Sequence, residues 1–119
     1  MATAVKRILS GSTRGRAIVV AQEASPGTLI HTAVNSTVAG TYDEIWLWAF
    51  NSISPDVLLT VEFGGVSVPG DVVYNTILGR YGWVPIVPGF ILQNALVVRA
   101  FASIANVLTI TGFVNNITD

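Results

Sequence analysis

The chain has no cysteine and only one histidine among its 119 residues. Without cysteine there is no disulfide, no thiolate nucleophile and no thiolate metal ligand, and a zinc site built from clustered His and Cys is ruled out. Charge is scarce as well: Asp, Glu, Lys and Arg make up 11% of the chain, against about 25% in ordinary soluble domains. Long apolar runs are also missing. A spanning helix needs roughly 18 to 20 consecutive apolar residues, and the longest clean run is "IWLWAF", Ile45 to Phe50. The basic N-terminus lacks the apolar stretch of a secretory signal. The apolar segments are too short for a membrane barrel of eight strands with polar inner faces. No membrane association is expected.

What is present is apolar: 51% hydrophobic residues and a mean hydropathy of +0.62. A soluble chain this poor in charge is expected to hide part of its surface against other copies or a larger partner, because contiguous apolar patches mark interfaces. The charge it has is uneven. Lys6, Arg7, Arg14 and Arg16 precede the first acidic residue, whereas beyond residue 16 only Arg80 and Arg99 stand against seven carboxylates. This predicts a basic N-terminal arm over 1–16 and a single acidic domain over 17–119.

Turn signals recur along the domain: "SPG" at 25–27, "AGT" at 39–41, "SPD" at 54–56, "GG" at 64–65, "PGD" at 69–71, "GRYG" at 79–82, "PG" at 88–89 and "SIAN" at 103–106. Proline presets φ and glycine permits positive φ, so these mark chain reversals. Between them lie eight β-rich runs: 17–21, 28–34, 44–51, 57–63, 72–77, 83–87, 96–102 and 107–114. No segment carries a sustained helical stripe. The expected fold is all-β: an antiparallel β-sandwich of about eight strands, jelly-roll-like, with an extended N-terminal arm. Val57, Leu59, Val61 and Phe63 form an inner set, with Leu58, Thr60 and Glu62 outward. Pro85 and Pro88 cannot donate ladder hydrogen bonds, which puts their run at an edge or in a loop. "SIAN" reads as a hairpin joining the last two strands.

The catalytic motifs sought are absent. His31 is a lone histidine in "TLIHTAV" and reads as structural, since general-base work needs a positioned partner. No serine sits in a G-x-S-x-G frame. Asp43 and Glu44, being adjacent, point to opposite faces of an extended chain and read as a solvated strand start. Asp71, Asn94 and Asn106 lack the spacing of a calcium loop, and "GSTRGR" at 11–16 lacks that of a phosphate loop. The four cations of the arm offer salt-dependent attraction to an acidic partner; no signature of a dedicated nucleic-acid reader accompanies them. The triplets at Asn35 and Asn116 that match the glycosylation pattern read as chance. The expectation is a non-enzymatic chain without cofactor or metal.

"DEIWLWAFN", Asp43 to Asn51, is the informative stretch. Ile45, Leu47 and Ala49 share one face of an extended strand, and Trp46, Trp48 and Phe50 the other, so both faces are apolar. "LVVRAFA" similarly sets Arg99 and Phe101 on one face. Three things can cover the aromatic side: loops of the same chain, another protomer, or a flat ligand such as a sugar, for which only Asn51 supplies a polar neighbour in the sequence. Aromatic enrichment at interfaces favours a protomer or partner.

The segments "VKRILSGSTRGR", "DEIWLWAFN", "LLTVEFGG" and "ILQNALVVRAFASIANVLTITGFVNNIT" together resemble the small virion proteins encoded near the capsid gene of tailed bacteriophages. The resemblance spans nearly the whole chain. It implies a head decoration (cement) protein of sandwich or jelly-roll type, commonly a homotrimer, that binds the major capsid protein on the virion head surface and braces the lattice. Trp46, Trp48, Phe50, Arg99 and Phe101 are then the expected contact residues, with Lys6, Arg7, Arg14 and Arg16 as arm contacts. The alternative is a lectin-like or receptor-binding sandwich of a phage tail or fibre.

Overall fold

A computed structural model describes residues 2–77, 79 and 83–119. It is all-β, with nine strands: β1 (Thr3–Arg7), β2 (Ile18–Val19), β3 (Thr28–Thr32), β4 (Tyr42–Asn51), β5 (Val57–Phe63), β6 (Val72–Ile77), β7 (Trp83–Leu92), β8 (Val97–Ala102) and β9 (Leu108–Thr118). They form a β-sandwich of two antiparallel sheets. Sheet A runs β1-β9-β4-β7, with β2 also paired to β9; sheet B runs β3-β8-β5-β6. Each of the eight β-rich runs contains a strand, and β1 is added from within the basic arm. Of the turn "GRYG", residues 80–82 lie outside the described residues, and Arg80 with them.

The core follows from alternation. Ile45, Leu47 and Ala49 of β4 and Leu108, Ile110 and Val114 of β9 point inward, and Val57, Leu59 and Val61 of β5 meet them from sheet B. All are essentially inaccessible, and burying each of the larger side chains contributes roughly 1.5–3 kcal/mol. β4 is the centre of sheet A, paired over its whole length with β9 and over most of it with β7. Pro85 and Pro88 lie on the edge strand β7, as their missing N–H groups require. The β4–β7 ladder steps twice, between Ile45/Trp46 and between Leu47/Trp48, bulging β7 at Gly89 and Ile86. Gly89 takes φ +79° there, a left-handed conformation natural to glycine.

Three local expectations are corrected. The "SIAN" link is not a hairpin: β8 pairs with β3 and β5 in sheet B, while β9 pairs in sheet A, so the link crosses between sheets. Glu62 points outward yet is buried, because the loop at 22–27 folds over it; the Gly27 N–H donates to Oε1 at 2.8 Å and the Ser25 hydroxyl to Oε2 at 2.5 Å. Thr60, beside it, is also buried. Asp43 is not solvated but 4% exposed, for reasons given below.

The N-terminal arm is extended and docked at two places. β1 pairs with β9 from Thr3–Thr118 to Arg7–Val114. The chain then crosses to sheet B, burying Leu9 in the core at 2% exposure and donating the Gly11 N–H to the Ile30 carbonyl at 2.9 Å. A side chain on Gly11 would collide with that backbone, its Cβ 2.4 Å from the Leu29 carbonyl oxygen. The arm thus bridges an edge of each sheet.

Candidate functional site

The outer face of sheet A is built by register. In β4, Glu44, Trp46, Trp48 and Phe50 point away from the core. The β4–β9 ladder sets Asn115 opposite Glu44, Phe113 opposite Trp46, Thr111 opposite Trp48 and Thr109 opposite Phe50. The β1–β9 ladder adds Lys6 opposite Asn115, the β2–β9 ladder adds Val19 opposite Thr109, and β7 contributes Trp83 opposite Phe50 and Ile91 opposite Glu44. Opposed residues share a face, so Lys6, Asn115, Glu44 and Ile91 make one row across the sheet. An aromatic patch lies beside that row.

The rings are held in a definite arrangement. Phe113 lies 6.3 Å from Trp46 with planes 18° apart, and 6.0 Å from Trp48 with planes 32° apart. Lys6 Nζ sits 4.4 Å above the Phe113 ring, a cation–π contact. The Trp46 indole lies on β7 at Gly89. A Cβ on Gly89 would be 2.7 Å from Cζ2 and 3.0 and 3.2 Å from its two ring neighbours, distances that place it above the ring face rather than at its edge. The glycine therefore makes room for the indole to lie down on the strand. The indole N–H fixes the ring's direction by donating to Glu44 Oε1 at 2.7 Å, and the Asn115 amide donates to the same oxygen at 3.1 Å. These two bonds, the indole's first, hold the Glu44 carboxyl below the usual carboxylate range, while burial opposes them.

None of the side chains placed on this face is buried, and sheet B packs against the other one. Trp46 and Trp48 are half-buried by their neighbours, whereas Phe50, Trp83, Val19 and Ile91 are exposed, Trp83 at 64%. The same-chain roof that would have covered the tryptophans is therefore not formed by the described residues. Asn51, the polar neighbour that the sequence offers, turns inward instead and bonds to the Pro55 and Ile77 carbonyls and the Ile53 N–H.

The predicted contact residues are not one patch. Trp46, Trp48 and Phe50 lie on the outer face of sheet A. Arg99 and Phe101 lie on that of sheet B, where Arg99 donates to the Gly27 carbonyl at 3.3 Å and helps hold the 22–27 loop. The arm cations divide too. Lys6 joins the aromatic face and Arg7 is exposed on β1, while Arg14 and Arg16 sit in the exposed loop between β1 and β2. Phe113 and Gly89 are the members of the site that sequence reasoning missed, and Lys6, expected only as an arm contact, joins them; alternation along β9 turns Phe113 outward, but only the register shows which strand lies beside it.

His31 is bonded on both ring nitrogens. The Ser10 N–H donates to Nδ1 at 3.0 Å, so Nε2 carries the proton and donates to Asp43 Oδ2 at 2.7 Å. The Ser10 hydroxyl instead accepts from the Thr32 N–H at 2.7 Å, so serine, histidine and aspartate do not line up as a nucleophilic relay. Asp71, Asn94 and Asn106 sit on separate loops, and no described group of three His, Asp or Glu is arranged to hold a metal. The chain matches no protein-family model, no curated protein and no solved structure.

Proposed function

We propose that this chain is a non-enzymatic structural protein that assembles with itself and onto a larger protein lattice, burying the aromatic outer face of sheet A. The observation that carries this reading is the position of Trp46, Trp48 and Phe50 on a central strand of a sheet whose outward side chains stay partly or fully exposed in the described chain. Large aromatics in a setting poor in charge make effective contact surface. The resemblance to small phage virion proteins supplies the specific form: a homotrimeric decoration protein bound to the major capsid protein at the head surface. Repetition over a lattice lets modest single contacts add up to firm binding. Light scattering coupled to size exclusion tests it. A trimer is expected at low concentration, and Trp48→Asp is expected to dissolve it with the far-ultraviolet dichroism intact. A trimer indifferent to Trp48→Asp, or a monomeric wild type that binds no capsid, overturns the reading.

One observation favours a second reading, a glycan-binding module. Trp46 lies flat on Gly89 beside a nearly parallel Phe113 ring, with Glu44, Asn115 and Lys6 along one side, and aromatic rings bordered by polar groups suit a sugar. Glycan-array binding that disappears with Trp46→Ala would favour it over assembly.

A further inference from the structure

A two-sheet sandwich has open sheet edges, each showing backbone groups that a foreign strand can pair with, and stable proteins guard them. Here three are guarded. On β7, Pro85 and Pro88 remove donors and two bulges distort the ladder. Along β3 the arm itself occupies the edge: the Gly11 N–H donates to the Ile30 carbonyl, and the Ser10 hydroxyl accepts from the Thr32 N–H. On the β1 side of sheet A, the five-residue β1 carries Lys6 and Arg7, which would meet like charges on a second β1, and β2 is only two residues long.

The fourth edge is β6, "VVYNTI". It contains no charge, no proline and no glycine, and Val72, Val73, Thr76 and Ile77 are β-branched. All six residues pair with β5 on one side. Apart from that ladder, the one hydrogen bond its backbone makes among the described residues is at its end, from the Asn51 amide to the Ile77 carbonyl. Tyr74 is 55% exposed, and Leu58, across the ladder from Thr76, is 45% exposed. The unguarded edge is thus flanked by exposed apolar side chains.

We propose that β6 is a second self-association edge, pairing antiparallel with β6 of another copy across a two-fold axis to join two four-stranded sheets into one of eight. The occupant follows from elimination: when copies of this chain meet edge to edge, β6 with β6 is the one combination in which neither strand carries a guard. The axis stands perpendicular to the sheet, so opposed residues must share a face. In the two registers of longest overlap that satisfy this, Tyr74 meets Tyr74 or Thr76 of the second copy, and no charge opposes another. This contact is separate from the aromatic face, so the two fail independently.

The experiment combines light scattering with amide hydrogen exchange on wild type, Trp48→Asp and Tyr74→Lys/Thr76→Lys. The Trp48→Asp chain, freed of the aromatic contact, is expected to remain in a monomer–dimer equilibrium, with amides 72–77 more protected as concentration rises. The lysine pair, placed on exposed positions, is expected to weaken that dimer at least about a hundredfold by setting four like charges across the axis, while the melting temperature holds. In the wild type, protection of 72–77 should rise with concentration and that of β1 should not. A Trp48→Asp chain that stays monomeric with 72–77 equally exposed at every concentration, or a dimer untouched by the lysines, overturns the proposal.

Discussion

His31 Nε2 lies 2.7 Å from Asp43 Oδ2, and this bond ties the two sheets together, His31 belonging to β3 of sheet B and Asp43 to β4 of sheet A. The carboxylate is fully used. Its Oδ2 also accepts the Val34 N–H at 3.0 Å, and its Oδ1 accepts the Asn116 amide at 2.9 Å. Burying a charged group is unfavourable unless its partners are in place, so the arrangement stabilises only as a complete set. Asp43→Leu leaves three donors, on His31, Val34 and Asn116, without an acceptor, and at about 1–3 kcal/mol for each unsatisfied buried group it is expected to destabilise the fold by about 3 kcal/mol or more. Asp43→Asn turns one acceptor into a donor facing donors and is expected to cost about 1–3 kcal/mol. Urea unfolding measures both. An Asp43→Leu chain within about 1 kcal/mol of wild type would show that the network does not hold the sheets.

The arm divides at Leu9 into a removable part and an essential one. The five side chains of β1 are all exposed, whereas Leu9 is inserted in the core and Ser10 and Gly11 clasp β3. Deleting residues 2–7 is therefore expected to leave a cooperatively folding chain that has lost the cation over Phe113. Deleting 2–16 removes the Leu9 side chain as well, and emptying such a site alone costs about 2–5 kcal/mol. That chain is expected to melt far lower or not fold. Thermal unfolding of the pair decides it: equal melting temperatures would mean that Leu9 is dispensable and that the arm is a tail after all. Capsid binding should accordingly be compared between the wild type and the 2–7 deletion.

Strand positions were legible because alternation is a local signal and the turn residues punctuate it; the eight β-rich runs needed nothing beyond their own residues. Pro85 and Pro88 even placed β7 at an edge. Sheet membership was not local. The short link at 103–107 suits a hairpin, and what sends β9 into the other sheet is its long ladder with β4, from Tyr42–Ile117 to Asn51–Leu108, a nonlocal pairing that no local pattern announces. The same limit governs the site. Trp46, Trp48 and Phe50 declared an outward aromatic row, but Phe113, Lys6 and Gly89 reach it only through register. Asp43 looked solvated because its buried partners, His31 and Asn116, lie 12 and 73 residues away. Arg99 and Phe101 had the right pattern for an outer face, and the pattern could not say that the face belonged to the opposite sheet.

Glu44 gives the aromatic face a pH dependence whose sign can be worked out. Its carboxyl is held below the usual range, first by the Trp46 indole N–H and then by the Asn115 amide, both of which favour the ionised form. The unfolded chain keeps a value of about 4.3. A group whose folded pKa is the lower one stabilises the fold above the unfolded value, and that contribution disappears as pH falls through the folded one. Glu44→Gln removes the ionised acceptor but not the amide-sized side chain. The variant is expected to melt below wild type at neutral pH, with the gap closing as pH drops below about 4.3; other carboxylates titrate in both chains and cancel in the difference. Tryptophan emission should follow the same course, shifting in wild type as Trp46 loses its acceptor and shifting less in Glu44→Gln. Melting curves that stay a constant distance apart from neutral to acidic pH would show that the indole bond does not depend on the charge of Glu44, and the orientation of Trp46 would then rest on Gly89 and Phe113 alone.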